Sequence, residues 1–119
     1  MQSALRKFKA AIFQALAHPT RIAIIEILSD GEMSAGAILE RLAVEQANAS
    51  QHLSVLRSNH IVVNRKEGNQ VFYSLKNQRL VEVLDLMRLY FMEELNESVE
   101  MLAEINQQSP GTMPNTSGR

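Results

Sequence analysis

Apolar residues recur at helical spacing along most of the chain, and the period changes once. Leu5, Phe8, Ile12, Phe13 and Leu16 repeat at steps of three and four, which predicts an amphipathic helix over residues 3–16. His18-Pro19-Thr20 interrupts it, because proline cannot continue the hydrogen-bond ladder and restricts the residue before it. Ile22, Ile25 and Leu28, with Ala23 and Ile24, predict a short buried helix that Asp30-Gly31 ends. Ser34 fits an N-cap for a third helix through Ile38, Leu39 and Leu42. A polar turn at Glu45-Gln46 leads to a fourth helix with Ala49, Leu53 and Leu56 on one side.

After that the period shortens. Ile61-Val62-Val63 and Val71-Phe72-Tyr73 are β-branched and aromatic runs around the polar segment Asn64–Gln70, which holds Gly68-Asn69. Two such runs about a glycine turn predict a β-hairpin. A long last helix is expected from about Gln78 to Ile105. Leu80, Leu84, Met87, Phe91, Leu95, Leu102 and Ile105 form its stripe, widened by Val83, Leu86, Leu89 and Val99. Beyond it, QQSPGTMPNTSGR is too polar and too rich in proline and glycine to offset its ordering entropy. One domain over residues 1–106 and a disordered tail over 107–119 are expected.

Composition removes whole classes of function. The 119 residues contain no cysteine, so disulfides, thiolate metal sites, iron–sulfur clusters and thiol redox sensing are closed to the chain. Hydrophobic residues make up 45% and charged residues 21%, an ordinary balance for a globular domain. No window approaches the uncharged apolar run of a membrane helix, so no membrane partner is expected. MQSALRKFKAAIF lacks a small-residue cleavage site and does not read as a signal peptide, so the expected location is the cytoplasm. The net charge of −1 hides an asymmetry: residues 1–79 hold ten Lys/Arg against six acids, residues 80–119 two against seven. Such a division fits an anion-binding end and an acidic end, or simply a solvated acidic helix.

Mainly helical, with four short helices, a hairpin and a long helix, is the order of a winged helix-turn-helix. The third and fourth helices are the pair, and the fourth can lie in the DNA major groove. On a helical wheel, Leu53 and Leu56 fall within about 40° of Ala49 and face the core. Asn48, Gln51, Ser54 and Ser58 fall on the far side, flanked by Ser50 and Arg57. Their amides and hydroxyls can donate and accept at base edges, and no acid among them repels phosphate. A solvated helix would show the same face. On the hairpin tip, Arg65 and Lys66, with Asn69 in the turn, can reach phosphate or the minor groove, or can merely keep the tip soluble.

The segments LAHPTRIAIIEIL (16–28), ASQHLSVLRSNHIV (49–62) and VFYSL (71–75) resemble the ArsR/SmtB family of bacterial winged-helix repressors, over roughly residues 8–90. The resemblance implies a homodimer joined through the first and last helices. It further implies repression by binding a pseudo-palindromic double-stranded DNA operator, released by an inducer. It sets Asn48, Ser50, Gln51 and Ser54 at DNA-facing positions, with Arg65, Lys66 and Asn69 on the wing. Phe8, Ile12, Leu84, Met87, Phe91 and Leu95 are the expected dimer contacts, since the stripe is too wide for one small body to cover.

The chain departs from the family where the family senses metal. Paired cysteines of many members correspond to Ser34 and Gly36, and the Asp, two His and Glu of others to Asn77, Arg79, Tyr90 and Glu93. One carboxylate among those four cannot hold zinc. His18, His52 and His60 lack the spacing of a helical metal site, and His52, at the edge of the core face, is expected to be packed and hydrogen-bonded. No metal and no cofactor are therefore expected. The inducer stays open between a small organic molecule, a partner protein and none. Phe8, Met87, Tyr90 and Phe91 could line a small pocket, or could be core. With no paired carboxylates, phosphate loop or triad context, no catalytic residue is expected. The rival reading is a helical dimer that acts as a protein-interaction module without binding DNA.

Overall fold

The computed structural model describes residues 2–108. Its elements run α1 (Gln2–Leu16), α2 (Pro19–Leu28), β1 (Met33–Ser34), α3 (Ala35–Leu42), α4 (Gln46–Ser58), β2 (Val62–Glu67), β3 (Gln70–Leu75) and α5 (Arg79–Gln108). The described residues divide into two units, one up to residue 81 and one from residue 82 onward. The expected tail lies outside the described residues from 109 onward, and Gln107 and Gln108, assigned to it from sequence, continue α5.

In the first unit α2 is the central element. Ile24, Ile25 and Leu28 have no exposed surface, and around them lie Ile38 of α3, Ala49, Leu53 and Leu56 of α4, and Val62 and Leu75 of the strands. The helix begins at Pro19, earlier than its apolar run marks, because proline's fixed φ suits the first helical position. The preceding His18 caps it: the Thr20 N–H donates to His18 Nδ1 at 3.1 Å. α1 and α2 meet at 92° across this break. Ile22, expected to be buried, stays at the surface at 37% exposure.

Ser34 caps α3 as expected, its hydroxyl accepting from the Ala37 N–H at 3.1 Å. α3 ends on Ala43 in the left-handed conformation, φ 56°. That residue makes the turn into α4, which starts at Gln46 rather than after it. α4 ends in a Schellman-type arrangement with His60 at φ 60°, where Ile61 N–H donates to Leu56 O and His60 N–H to Arg57 O.

The sheet departs from the expected hairpin in two ways. It has three strands in the order β1-β3-β2, because Met33 and Ser34 pair with Tyr73 and Phe72. A two-residue strand has too little pattern to be read. The hairpin is also longer than its apolar runs: Asn64 to Glu67, expected in the turn, pair with Tyr73, Phe72, Val71 and Gln70. The turn itself is Gly68-Asn69, with Gly68 at φ 61°, a conformation open to glycine and costly to most residues.

The second unit is the rest of α5. The whole helix runs 30 residues, about 45 Å at the standard rise. No residue of α5 is buried. No single helix among the described residues is long and apolar enough to cross a membrane.

Candidate nucleic-acid interface

The helix-turn-helix pair presents one face of α4 to solvent. Ala49, Leu53 and Leu56 are buried against the core, Ala49 at 3% exposure. Asn48, Ser50, Gln51, Ser54 and Arg57 are exposed, as expected from the wheel. None of these five side chains forms a hydrogen bond or ion pair with another described residue. Their amide, hydroxyl and guanidinium groups are thus free for an external ligand, on a helix whose other side is locked in the core. Ser58 differs: its hydroxyl donates back to Val55 O at 3.0 Å.

A histidine–arginine cluster fixes α4 from behind. Arg21 donates through Nε to His52 Nδ1 at 3.1 Å and through Nη1 to the Ala15 carbonyl at 3.1 Å, so one side chain joins the end of α1, α2 and α4. The His18 and His52 rings lie 4.2 Å apart between centroids. His52 accepts at Nδ1, which requires the neutral ring. Desolvation holds its pKa below the ordinary 6.5, helped by the His18 and Arg21 charges. The packed, hydrogen-bonded reading of His52 is the one found. The roles of His18 as a cap and Arg21 as a tie are not visible in the residue pattern. Proline at the first helical position was the available signal for a cap at residue 18.

On the wing, Lys66 and Asn69 are exposed, and Asn69 lines an open cleft of about 250 Å³ with Ser34, Ala35, Gly36, Gln70 and Val71. Arg65, expected on the hairpin tip, lies instead within a strand and is ion-paired inside the protein. It sits in the middle of β2 and donates to both carboxylate oxygens of Glu32, at 2.7 and 2.8 Å. It also donates to Glu67 at 2.8 Å, and its guanidinium lies 4.7 Å over the Phe72 ring. The guanidinium hydrogen bond holds the Glu32 carboxyl below its usual pKa, and the two carboxylates push that of Arg65 up. The first strand and this ion pair both depend on partners distant in sequence, Glu32 being 33 residues from Arg65.

The positions matching the family's metal ligands have other roles. Ser34 is the cap of α3. A Cβ at Gly36 would meet nothing within 4 Å. Asn77 opens α5, its side-chain oxygen accepting from the Arg79 N–H at 2.9 Å. Tyr90 stands beside Phe91, rings 5.7 Å apart, both about half exposed. Among the described residues no three His, Asp or Glu side chains gather as a metal site would need.

The expected dimer contacts fall at the surface. Phe8 (62%), Phe91 and Leu95 (62%) are exposed, while Ile12, Leu84 and Met87 are half-buried.

A family model described as a helix-turn-helix domain matches residues 16–64. An uncharacterized HTH-type transcriptional regulator of Mycobacterium tuberculosis, Rv0081, is 36% identical over 102 residues, covering 85% of this chain and 90% of that protein. Its crystal structure superposes with a TM-score of 0.74 at 38% identity, over 80% of this chain and 96% of that one. A biofilm growth-associated repressor of Agrobacterium fabrum is 41% identical over 63% of this chain and 67% of its own length. A homodimeric winged helix-turn-helix DNA-binding domain of Mycobacterium bovis, described as a possible ArsR-family regulator, gives a TM-score of 0.72 at 27% identity, over 81% of this chain and 89% of that one. Identity that runs along most of both chains, with the helix-turn-helix family match and the winged helix-turn-helix neighbour, places this chain among the ArsR/SmtB-type winged helix-turn-helix transcriptional regulators.

Proposed function

We propose that the protein is a homodimeric repressor that binds a pseudo-palindromic operator and does not sense metal. The observation that carries the reading is the α4 face. Asn48, Ser50, Gln51, Ser54 and Arg57 project with no side-chain hydrogen bond or ion pair among the described residues, from a helix whose opposite side is buried. Gln51 is suited to a bidentate contact with adenine, and Ser50, Ser54 and Asn48 to bases or phosphate. Lys66 and Asn69 on the wing would hold the backbone beside the site. Binding rather than catalysis is the activity, and the cytoplasm is the place of work.

Dimerisation is supported by apolar surface that the monomer leaves bare. Leu5, Phe8 and Phe13 on α1, and Leu86, Phe91, Leu95, Val99 and Leu102 on α5, are each more than half exposed. Two copies sharing these faces about a two-fold axis would place two α4 helices on successive half-sites. The relatives are a repressor in one case and a homodimer in another. Absence of metal control is supported by Ser34, Gly36, Asn77, Arg79 and Tyr90 at the ligand positions. The test is selection of bound duplexes from a randomised library, followed by footprinting with and without zinc, nickel, cadmium and arsenite. A two-fold symmetric footprint indifferent to all four is expected. A stoichiometric metal that releases the DNA, or no selected duplex, overturns the reading.

A further inference from the structure

Arg65 and Lys66 are neighbours in sequence and opposites in use. Successive side chains on a strand point to opposite faces of the sheet. Arg65 shares its face with Phe72, its cross-strand partner on β3, and Phe72 pairs in turn with Ser34 on β1. The guanidinium passes over the Phe72 ring and closes on Glu32, the residue just before β1. β2 and β1 are the two edge strands, so this side chain crosses the central β3 and binds the segment that leads into β1 and α3. The wing is thereby fastened to the first helix of the helix-turn-helix pair. The short β1 ladder, Met33 with Tyr73 and Ser34 with Phe72, and contacts of α3 with β3 tie the wing on its inner side, and the Arg65 side chain adds a tie from the outer strand β2.

Charge argues the same way. Glu32, Arg65 and Glu67 together carry one net negative charge, so this face of the wing offers phosphate no attraction. An arginine with its fork filled by a carboxylate and its plane on an aromatic ring has its strongest interactions already satisfied. Exposed ion pairs add little to folding stability. The arrangement therefore matters for where the wing points.

We propose that Arg65 is a positioning residue for DNA binding: its clamp on Glu32 across Phe72 sets the angle of the wing, so that Lys66 and Asn69 meet the backbone while α4 occupies the groove. This rests on the DNA-binding reading above. Lys66 is the wing's phosphate contact, and Glu32, an acid that simple electrostatics would place against DNA binding, supports it.

The test uses a duplex selected by the wild-type protein from a randomised library, with affinity measured across a salt series. Glu32→Gln and Arg65→Lys should each weaken binding, by about threefold to tenfold for the two wings of a dimer, with melting temperature unchanged. Arg65→Lys should leave the salt slope as in the wild type, because no phosphate contact is lost. Lys66→Ala should flatten the slope by about one unit per lost contact. The double variant Glu32→Gln with Arg65→Ala should bind no worse than Arg65→Ala alone, as two halves of one clamp require. Tighter binding by Glu32→Gln overturns the proposal, as does wild-type affinity in Arg65→Lys with a flattened slope in Arg65→Ala. A wild-type protein that selects no duplex overturns the DNA-binding reading instead, and the proposal with it.

Discussion

The two units use apolar residues in opposite ways. In residues 1–81 the apolar side chains of α2, α3 and α4 build a core, with Ile24, Ile25, Leu28, Ile38 and Leu56 having no exposed surface, while Leu5, Phe8 and Phe13 of α1 stay exposed. In residues 82–108 there is an apolar stripe of comparable richness and no buried residue at all. A lone helix cannot cover its own stripe, and most helical stability comes from packing rather than propensity. The first unit therefore owes its stability to contacts within the chain. The second has its apolar surface available to another chain. The same residue types build a core in one place and, in the proposed dimer, would form an association surface in the other.

The comparison is broken most strongly by truncation in each unit. Leu28→Ala should cost about 2–5 kcal/mol, the range for deleting a buried leucine side chain. Leu102→Ala, at a site 61% exposed, should change stability by less than about 0.5 kcal/mol at protein concentrations where the chain is monomeric. Urea unfolding of both variants checks this, and equal losses would erase the distinction.

Association should respond in the reverse order. Phe91→Glu with Leu95→Glu sets two charges where apolar burial is expected, and should weaken dimerisation by on the order of a hundredfold or more. Sedimentation equilibrium should then show monomers that keep the helical signal of the first unit. A wild-type chain that stays monomeric at micromolar concentration would remove the role assigned to α5.

Within the first unit, His52 makes the packing around α4 dependent on pH. Its folded pKa lies below the ordinary 6.5, so the unfolded chain takes up the proton first as pH falls. The contribution is complete above about pH 6.5 and declines as pH drops from there toward the folded value. Protonation also removes the acceptor for Arg21 Nε and sets two cations side by side. Stability measured against pH should fall more steeply below pH 6.5 in the wild type than in His52→Asn. Parallel curves would detach His52 from this effect.

A smaller effect is expected at the turn between the paired helices. Ala43 holds φ 56°, where its Cβ is crowded. Ala43→Gly should stabilise the protein by about 0.5–1 kcal/mol, read from the urea midpoint. A loss of stability would show that chain entropy outweighs relief of strain there.

What the sequence made legible follows from how local each signal is. The α4 face was readable because Ala49, Leu53 and Leu56 repeat at helical steps and one side of the helix is buried. Ser34 was readable as a cap because the interaction spans three residues. The wing was shortened because both faces of its outer half meet solvent, so Asn64 to Gln70 carry no alternation to mark a strand. β1 and the Glu32–Arg65 clamp were out of reach because each depends on a partner more than thirty residues away. Arg65 thus read as a free charge, although its neighbours in the fold had already engaged it.

The central claim is that the exposed face of α4 reads DNA sequence. Its most direct test compares wild type and Gln51→Ala on a selected duplex and on a scrambled duplex of equal length, across a salt series. Loss of the Gln51 contact should remove roughly 1–3 kcal/mol of discrimination. Affinity for the selected duplex should fall accordingly, with scrambled binding and its salt slope nearly unchanged. If Gln51→Ala discriminates as well as the wild type, recognition lies in the wing or in DNA shape, and α4 does not read sequence through Gln51.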